Sequence, residues 1–224
     1  MISVIIPCLN EAANIQATLT GLQPLRCRGH EIIVVDGGSN DDTIALASPL
    51  ADKVLLSAKG RARQMNAGAQ AANGDVLWFV HADTRVMPDA DRLILQALQR
   101  QSAAWGRFDV RLSGSRLLLR MVEKAMNLRS RLSGIATGDQ GIFVRAGAFQ
   151  HIGGYAEIPL MEDIDLSRRL KKTAGNPLCL TGKLLTSSRR WETWGIVKTI
   201  LLMWRLRLRY ALGADPAELA RLYR

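Results

Sequence analysis

Cysteine is scarce in this sequence. Cys8, Cys27 and Cys179 lie far apart, are odd in number and lack metal-ligand spacing. That argues against a disulfide framework and for a reducing compartment. Long apolar runs are missing too, and none approaches the ~20 residues of a membrane span. The opening run at 2–7 is too short for a signal core, and Asn10 and Glu11 follow at once. Internal repeats, linkers and low-complexity segments are also lacking, so residues 1–224 are expected to form a single domain. Acidic residues are in deficit, with 20 Asp and Glu against 30 Lys and Arg and a net charge of +10. A basic balance suits nucleic acid, an anionic membrane or a phosphorylated small molecule. Much of the excess lies late: residues 183–224 hold nine basic and three acidic side chains.

Apolar residues are plentiful, at 48%, enough for a sizeable core. Short β-branched runs at 2–6, 32–35, 54–56 and 76–80 read as buried strands of a parallel sheet. Helical stretches at about 11–22, 41–50, 61–72 and 89–101 separate them, which predicts a doubly wound α/β half. The second half is less regular. Strands are expected at 108–112 and 141–144 and helices at 116–132 and 164–172, the former with Leu117, Leu118, Met121, Val122, Ala125 and Met126 on one side. Residues 192–212 mix apolar and basic residues at helical spacing.

Polar residues gather after each early strand: Asn10 and Glu11, then Asp36 to Ser39, then Gly60, Arg61 and Arg63, then His81 and Asp83. Ligands of open α/β sheets bind outside the carboxyl ends of the strands, so four such clusters point to one site. Asp36 can accept hydrogen bonds from a base or a ribose, and it equally suits an ordinary strand-to-helix turn. Arg61 and Arg63, beside Lys59 at a helix start, can bind phosphate or form a solvated basic face. Asp83 offers an oxygen ligand for Mg²⁺ or Mn²⁺, or caps the turn before Pro88. Glu162, Asp163 and Asp165 crowd a helix start, where neighbouring carboxylates can create a general base or complement the helix dipole.

These segments, in this order, resemble family 2 glycosyltransferases, which have the GT-A fold: a Rossmann-like, mainly parallel central sheet flanked by helices, here followed by C-terminal helices. Val4 to Glu11 is similar to that family's first strand and Asn-Glu pair, and Val34 to Thr43 to its nucleoside-binding turn. Phe79 to Asp83 occupies the place of its Asp-x-Asp motif, and Gly153 to Leu170 that of its acceptor-side motif with the catalytic carboxylate. Gly138 to Arg145 and Ser188 to Glu192 further resemble a compact bacterial subfamily associated with radical-SAM and selenoprotein-like genes.

The resemblance implies a hexosyltransferase-like, inverting enzyme that moves a sugar from a nucleoside diphosphate sugar, with UDP favoured, to an acceptor hydroxyl with a divalent metal, Mn²⁺ or Mg²⁺. By position, Pro7 and Glu11 line the nucleoside pocket, Asp36 meets the base or ribose, and Arg61 or Arg63 faces the diphosphate. Asp83 holds the metal and Asp163 is the base beside Glu162. His81 stands where the family has the first Asp of its pair, and can donate a hydrogen bond to the ribose. Asp139 and Gln140 are candidates to meet the transferred sugar or the acceptor, and equally suit an ordinary polar loop. Residues 1–100 are then the donor half, 101–190 the acceptor half and 191–224 a helical tail.

Trp191, Trp194 and Trp204 stand among basic residues of that tail. Such a helix suits a core with a basic outer face, and also peripheral contact with an anionic membrane and a lipid-linked acceptor. The expected location is the cytoplasm, including the inner face of the membrane. A nucleotidyltransferase would carry a Gly-rich basic loop where Pro7 to Glu11 stand. A non-catalytic basic module for nucleic acid or membrane suits the +10 charge. The acidic clusters at Asp36, Asp83 and Glu162 to Asp165 oppose nucleic acid as a partner, because they repel phosphate. A degenerate, inactive family member is the third alternative, motivated by His81.

Overall fold

A computed structural model describes residues 1–100 and 103–223. Position 101, the last of the helix expected at 89–101, lies outside them, as does Arg224. The chain runs through β1 (Ile2–Cys8), α1 (Ala12–Arg26), β2 (Glu31–Asp36), α2 (Thr43–Ala47), β3 (Lys53–Leu56), α3 (Arg61–Ala71), β4 (Val76–Phe79) and α4 (Ala90–Arg100). It continues through β5 (Trp105–Leu112), α5 (Leu117–Ser133), β6 (Phe143–Arg145), α6 (Ala146–His151), α7 (Glu162–Ala174), β7 (Leu178–Thr186), α8 (Arg189–Trp194), α9 (Ile196–Ala211) and α10 (Pro216–Tyr223).

All these strands join one sheet in the order β3-β2-β1-β4-β6-β5-β7. The first four are mutually parallel, β6 runs antiparallel to both β4 and β5, and β7 lies parallel to β5. Every residue of β1, β2 and β4 is buried, as continuous apolar strands covered on both faces require. β2 and β4 flank β1 on opposite sides, so the direction of strand addition reverses at β1 and a crevice opens at its carboxyl end.

Alternate side chains feed two cores. Ile2, Val4 and Ile6 pack against Ile15, Leu19 and Leu22 of α1 on one face. Ile5, Val35 and Phe79 pack against Met65 of α3 on the other. There α3 lies directly on the sheet: a Cβ at Gly68 would sit 2.5 Å from Ile5 Cγ2 and 3.0 Å from Val35 Cγ2. Only glycine allows that approach.

The second half departs from expectation: α6 is an added helix, the helical stretch expected at 192–212 breaks at Gly195, where φ is 85°, and β7 and α5 differ as follows. β7 lies outside the expected strands, because its Leu178–Thr186 run mixes partly exposed and polar residues rather than forming an apolar block. The apolar side assigned to α5 is split. Leu119 and Val122 face the core with Met126 partly buried beside them, whereas Leu117, Leu118 and Met121 are exposed. Polar contacts set this rotation: Glu123 accepts the Leu112 amide and Arg120 donates to the carbonyls of Leu112 and Gly114. Leu206 of α9 and Leu219 of α10 bury themselves against Met161 and Ile164.

Candidate active site

The β1–α1 and β2–α2 turns are laced together. The Asn10 amide donates to Ser39 Oγ at 2.8 Å, the Asn40 amide to Asn10 Oδ1 at 2.9 Å, and the Glu11 amide to Thr43 Oγ1 at 2.8 Å. Asn10 takes a left-handed backbone at φ 54°, which asparagine tolerates. Pro7 is buried within β1, opposite Val35. Asp36 is fully buried, and its carboxylate accepts the amides of Gly38 and Ser39, each at 2.8 Å, and the Ser39 hydroxyl. Burial pushes its pKa up, but these bonds outweigh burial and hold it below the ordinary value. Asp36 therefore shapes the turn with both oxygens. Gln64, not singled out from sequence, ties β1 to β2 by donating to Cys8 O at 2.7 Å and Val35 O at 2.8 Å.

The next corner forms where α3, the β4–α4 turn and the short 3-10 turn Gly138–Gln140 meet. Gly60, at φ 142°, begins α3. Arg61 Nη1 reaches Glu162 Oε1 at 3.2 Å with half its side chain exposed, while Arg63 turns outward to Glu157 at 3.0 Å. His81 Nδ1 lies 3.2 Å from Asp139 Oδ1, and His81 Nε2 is buried with no partner among the described residues. Gly138 permits this contact, since a Cβ there would be 2.4 Å from His81 Nε2. Burial raises the Asp83 pKa, the His81 charge opposes the rise and the Asp139 carboxylate adds to it. Gln140 is fully buried. Its Oε1 accepts the Thr137 amide at 3.1 Å in a capping box, so this side chain braces its own turn.

Asp163 closes the site. Met161, just before α7, holds a left-handed backbone at φ 72°, an outlier for a bulky residue, and is fixed by burial against Leu206 and Leu219. The kink delivers two carboxylates at the helix start. Glu162 is buried and paired with Arg61. Asp163 Oδ2 accepts the Gly138 amide at 2.9 Å and Oδ1 accepts the Ile164 amide at 2.7 Å. Burial and then the Glu162 charge push Asp163 up to about 6, against the Gly138 bond and Arg61. Asn66 fastens α3 to the loop before α7 through two 2.9 Å bonds with the Tyr155 backbone. Arg61, His81, Asp83, Asp139, Glu162 and Asp163 thus share one corner. Glu11 and Asp36 lie at the adjoining strand ends, and Arg63 and Gln140 point elsewhere.

The sequence profile of Glycosyl transferase family 2 matches residues 3–152. The chain belongs to this family. Among curated relatives, an uncharacterized glycosyltransferase of Mycobacterium tuberculosis (strain CDC 1551 / Oshkosh) is 35% identical over 114 residues, 47% of this chain and 44% of the relative. A PGL/p-HBAD biosynthesis glycosyltransferase of Mycobacterium bovis (strain BCG / Pasteur 1173P2) is 35% identical over 100 residues, 42% of this chain and 39% of the relative. The matched segments therefore span less than half of these relatives. The fold is similar to Staphylococcus aureus TarS 1-349, with TM-score 0.70, 18% identity, and coverage of 84% of this chain and 60% of TarS. It is also similar to M. tuberculosis glucosyl-3-phosphoglycerate synthase, with TM-score 0.61, 19% identity, and coverage of 83% and 70%. TarS has been solved with UDP-GlcNAc, and the synthase with Mn²⁺ and UDP. This member of glycosyl transferase family 2 therefore has the GT-A fold.

The described residues include no group of three or more His, Cys, Asp or Glu ready to hold a metal by themselves. Mg²⁺ and Mn²⁺ are commonly held by one or two carboxylates together with substrate phosphates. The corner fits that pattern: no described side chain hydrogen-bonds the Asp83 carboxylate, and the unpartnered His81 Nε2 lies in the same corner.

Proposed function

We propose that this glycosyltransferase moves a sugar from a nucleoside diphosphate sugar, with UDP as the base-bearing group, onto an acceptor hydroxyl in one inverting displacement. The observation that carries this reading is Asp163, half-buried, fixed by the Gly138 amide at 2.9 Å and raised to about 6. A carboxylate so tuned takes a proton near neutral pH better than an ordinary one. The acceptor O–H bond breaks as its oxygen bonds the anomeric carbon. The proton passes to Asp163, and the bond from that carbon to the diphosphate oxygen breaks with its electron pair leaving on the diphosphate. Arg61 stands beside this path and offsets negative charge.

A divalent metal held by Asp83 would neutralise the diphosphate as it leaves. The metal- and UDP-bound neighbours support this choice. Pro7, Glu11 and the turn shaped by Asp36 would line the nucleoside cleft. His81 and Asp139 would meet the ribose side and the transferred sugar. On this reading residues 1–100 carry the donor, 101–190 the acceptor, and 191–224 brace the base through Met161, all as one domain. The three cysteines are free, which suits work in the cytoplasm.

Thermal shift with UDP, GDP and their sugars, with and without Mn²⁺, tests the donor assignment on wild type and Asp83→Ala. A ligand at a hundredfold excess over its Kd contributes ~2.7 kcal/mol to the folded state. A metal-dependent shift with a UDP-sugar that Asp83→Ala abolishes is the expected result. Absence of any nucleotide shift in wild type sinks the reading.

A further inference from the structure

Beside the base lies a second, unassigned cleft of about 180 Å³, lined by Arg129 and Ser133 of α5, Ile164 and Arg168 of α7, and Arg207 and Tyr210 of α9. Ile164 is the neighbour of Asp163, so the cleft abuts the acceptor side of the site. Three guanidinium groups meet there, and none forms an ion pair among the described residues. Arg168 stacks over the Tyr210 ring at 5.2 Å. Arg129 Nε and Nη2 are buried without a hydrogen-bond partner among the described residues. Buried, unpartnered cationic nitrogens are unfavourable unless an anion meets them, and guanidinium forks match phosphate oxygens in pairs.

The helices that frame the cleft carry apolar stripes on their outer sides. They run in the same direction: Leu119 and Val122 pack with Ile196 near the two starts, and Arg129 and Ser133 face Arg207 and Tyr210 near the two ends. On α9, Val197, Leu201, Trp204 and Leu208 recur at three- and four-residue spacing, and all are exposed, Trp204 by 74%. Lys198, Arg205 and Arg209 border that stripe, and α9 contains no acidic residue. On α5, Leu117, Leu118, Met121, Leu128 and Leu132 form a matching exposed stripe. Leu128 adjoins Arg129 and Leu208 adjoins Arg207, so both stripes reach the edge of the cleft. Isolated exposed leucines are ordinary, but contiguous stripes bordered by cations are the pattern of helices that lie in an anionic membrane surface. No described helix is long and apolar enough to cross the membrane.

We infer that α5 and α9 seat this enzyme on an anionic bilayer, with the arginine cleft receiving the phosphate of a lipid-borne acceptor. The bilayer takes the two apolar stripes, Lys198 and Arg205 meet its anionic surface, and Arg129, Arg168 and Arg207 draw one phosphate towards Asp163. The placement of the acceptor rests on the reading of Asp163 as the base; the docking does not.

The test is flotation of the full chain, without donor, on vesicles of phosphatidylcholine alone, with phosphatidylglycerol, or with phosphatidic acid. Wild type is compared with Trp204→Glu/Leu208→Glu and with Arg129→Gln/Arg207→Gln, and glycerol 3-phosphate is titrated separately by thermal shift. Both anionic vesicles bind wild type roughly tenfold or more above neutral ones. The Glu pair abolishes that binding, and the Gln pair lowers phosphatidic acid binding roughly tenfold, more than it lowers phosphatidylglycerol binding. Unaltered UDP thermal shifts in both pairs show that the fold is intact. Wild type left unbound by every vesicle at low salt overturns the inference, as does a Gln pair that binds like wild type. Stabilisation by glycerol 3-phosphate without vesicle binding assigns the cleft to a soluble phosphate and also overturns it, as does a dimer that buries the stripes. Failure of wild type to bind any nucleotide would sink the transferase reading while leaving this result readable.

Discussion

The Gly138 amide donates to Asp163 Oδ2 at 2.9 Å while the same glycine leaves room for His81 Nε2, which a Cβ would approach to 2.4 Å. One residue without a side chain therefore positions both Asp163, the proposed base, and the corner that holds His81. The His81–Asp139 contact at 3.2 Å extends the link across the 3-10 turn. Gly138→Ala displaces the imidazole and shifts the amide from Asp163. A loss of about 10²-fold in kcat/KM is expected, as for small misplacements of reacting groups. Steady-state kinetics beside a UDP thermal shift checks it, and a variant with wild-type turnover would show that the corner is not under such constraint.

Acidity should act on rate and stability in opposite senses. Asp163 must be ionised to accept a proton, so kcat/KM falls about tenfold per pH unit below about 6. Between its ordinary 3.8 and about 6 the folded chain holds more protons here than the unfolded chain. The stability linked to this group is thus full at low pH and declines as pH rises through about 6. Asp163→Asn removes that penalty and keeps an oxygen for one amide. It should be inactive yet melt higher than wild type at pH 7.5, at ~2–4 °C per kcal/mol relieved, with the two curves converging below pH 4. A variant that melts lower at pH 7.5 contradicts the raised pKa.

Leu219→Ala probes the tail. Leu219 is fully buried against Met161 and Ile164. Its truncation costs ~2–5 kcal/mol of stability and frees the left-handed Met161 that aims α7. At a temperature where the variant remains folded, kcat should fall severalfold while KM for the donor holds. Equal effects on both parameters would mean that the tail acts on the donor side as well.

Gln140 separates a bracing role from a substrate role. Gln140→Ala leaves the buried Thr137 amide without its acceptor, a loss of about 1–3 kcal/mol. Urea denaturation should register that loss, and donor KM should stay within about twofold of wild type, since removing an interaction that substrate does not make leaves KM unchanged. A large change in donor KM would return Gln140 to the substrate.

The first hundred residues were legible as alternating strands and helices because their signals are local. Apolar blocks such as 32–35 can bury only as central strands, and the polar turn residues after them fall at one sheet edge whatever the helices do. The gathering of His81, Asp83 and Asp163 at one corner was legible through the family pattern. Its wiring was not, because the bond from Gly138 to Asp163 joins positions 25 apart in sequence. Asp36 and Gln140 show the limit most clearly. An acid after a strand and an amide in a turn read alike whether they face a ligand or their own backbone, and only the partners decide. The split of α5 has the same origin: its leucines supply two apolar stripes, and the polar grips of Arg120 and Glu123 select which one turns inward.

Gly68 touches none of the residues assigned to chemistry, yet its missing side chain lets α3 rest against Ile5 and Val35, which fixes how far Arg61 stands from the sheet edge about two helical turns away. A saturation screen for transfer should therefore score Gly68 as severely as Arg61, although Gly68 lies between α3 and the sheet. At Gly68 the position matters because it sets the height at which the Arg61 charge is held above the sheet.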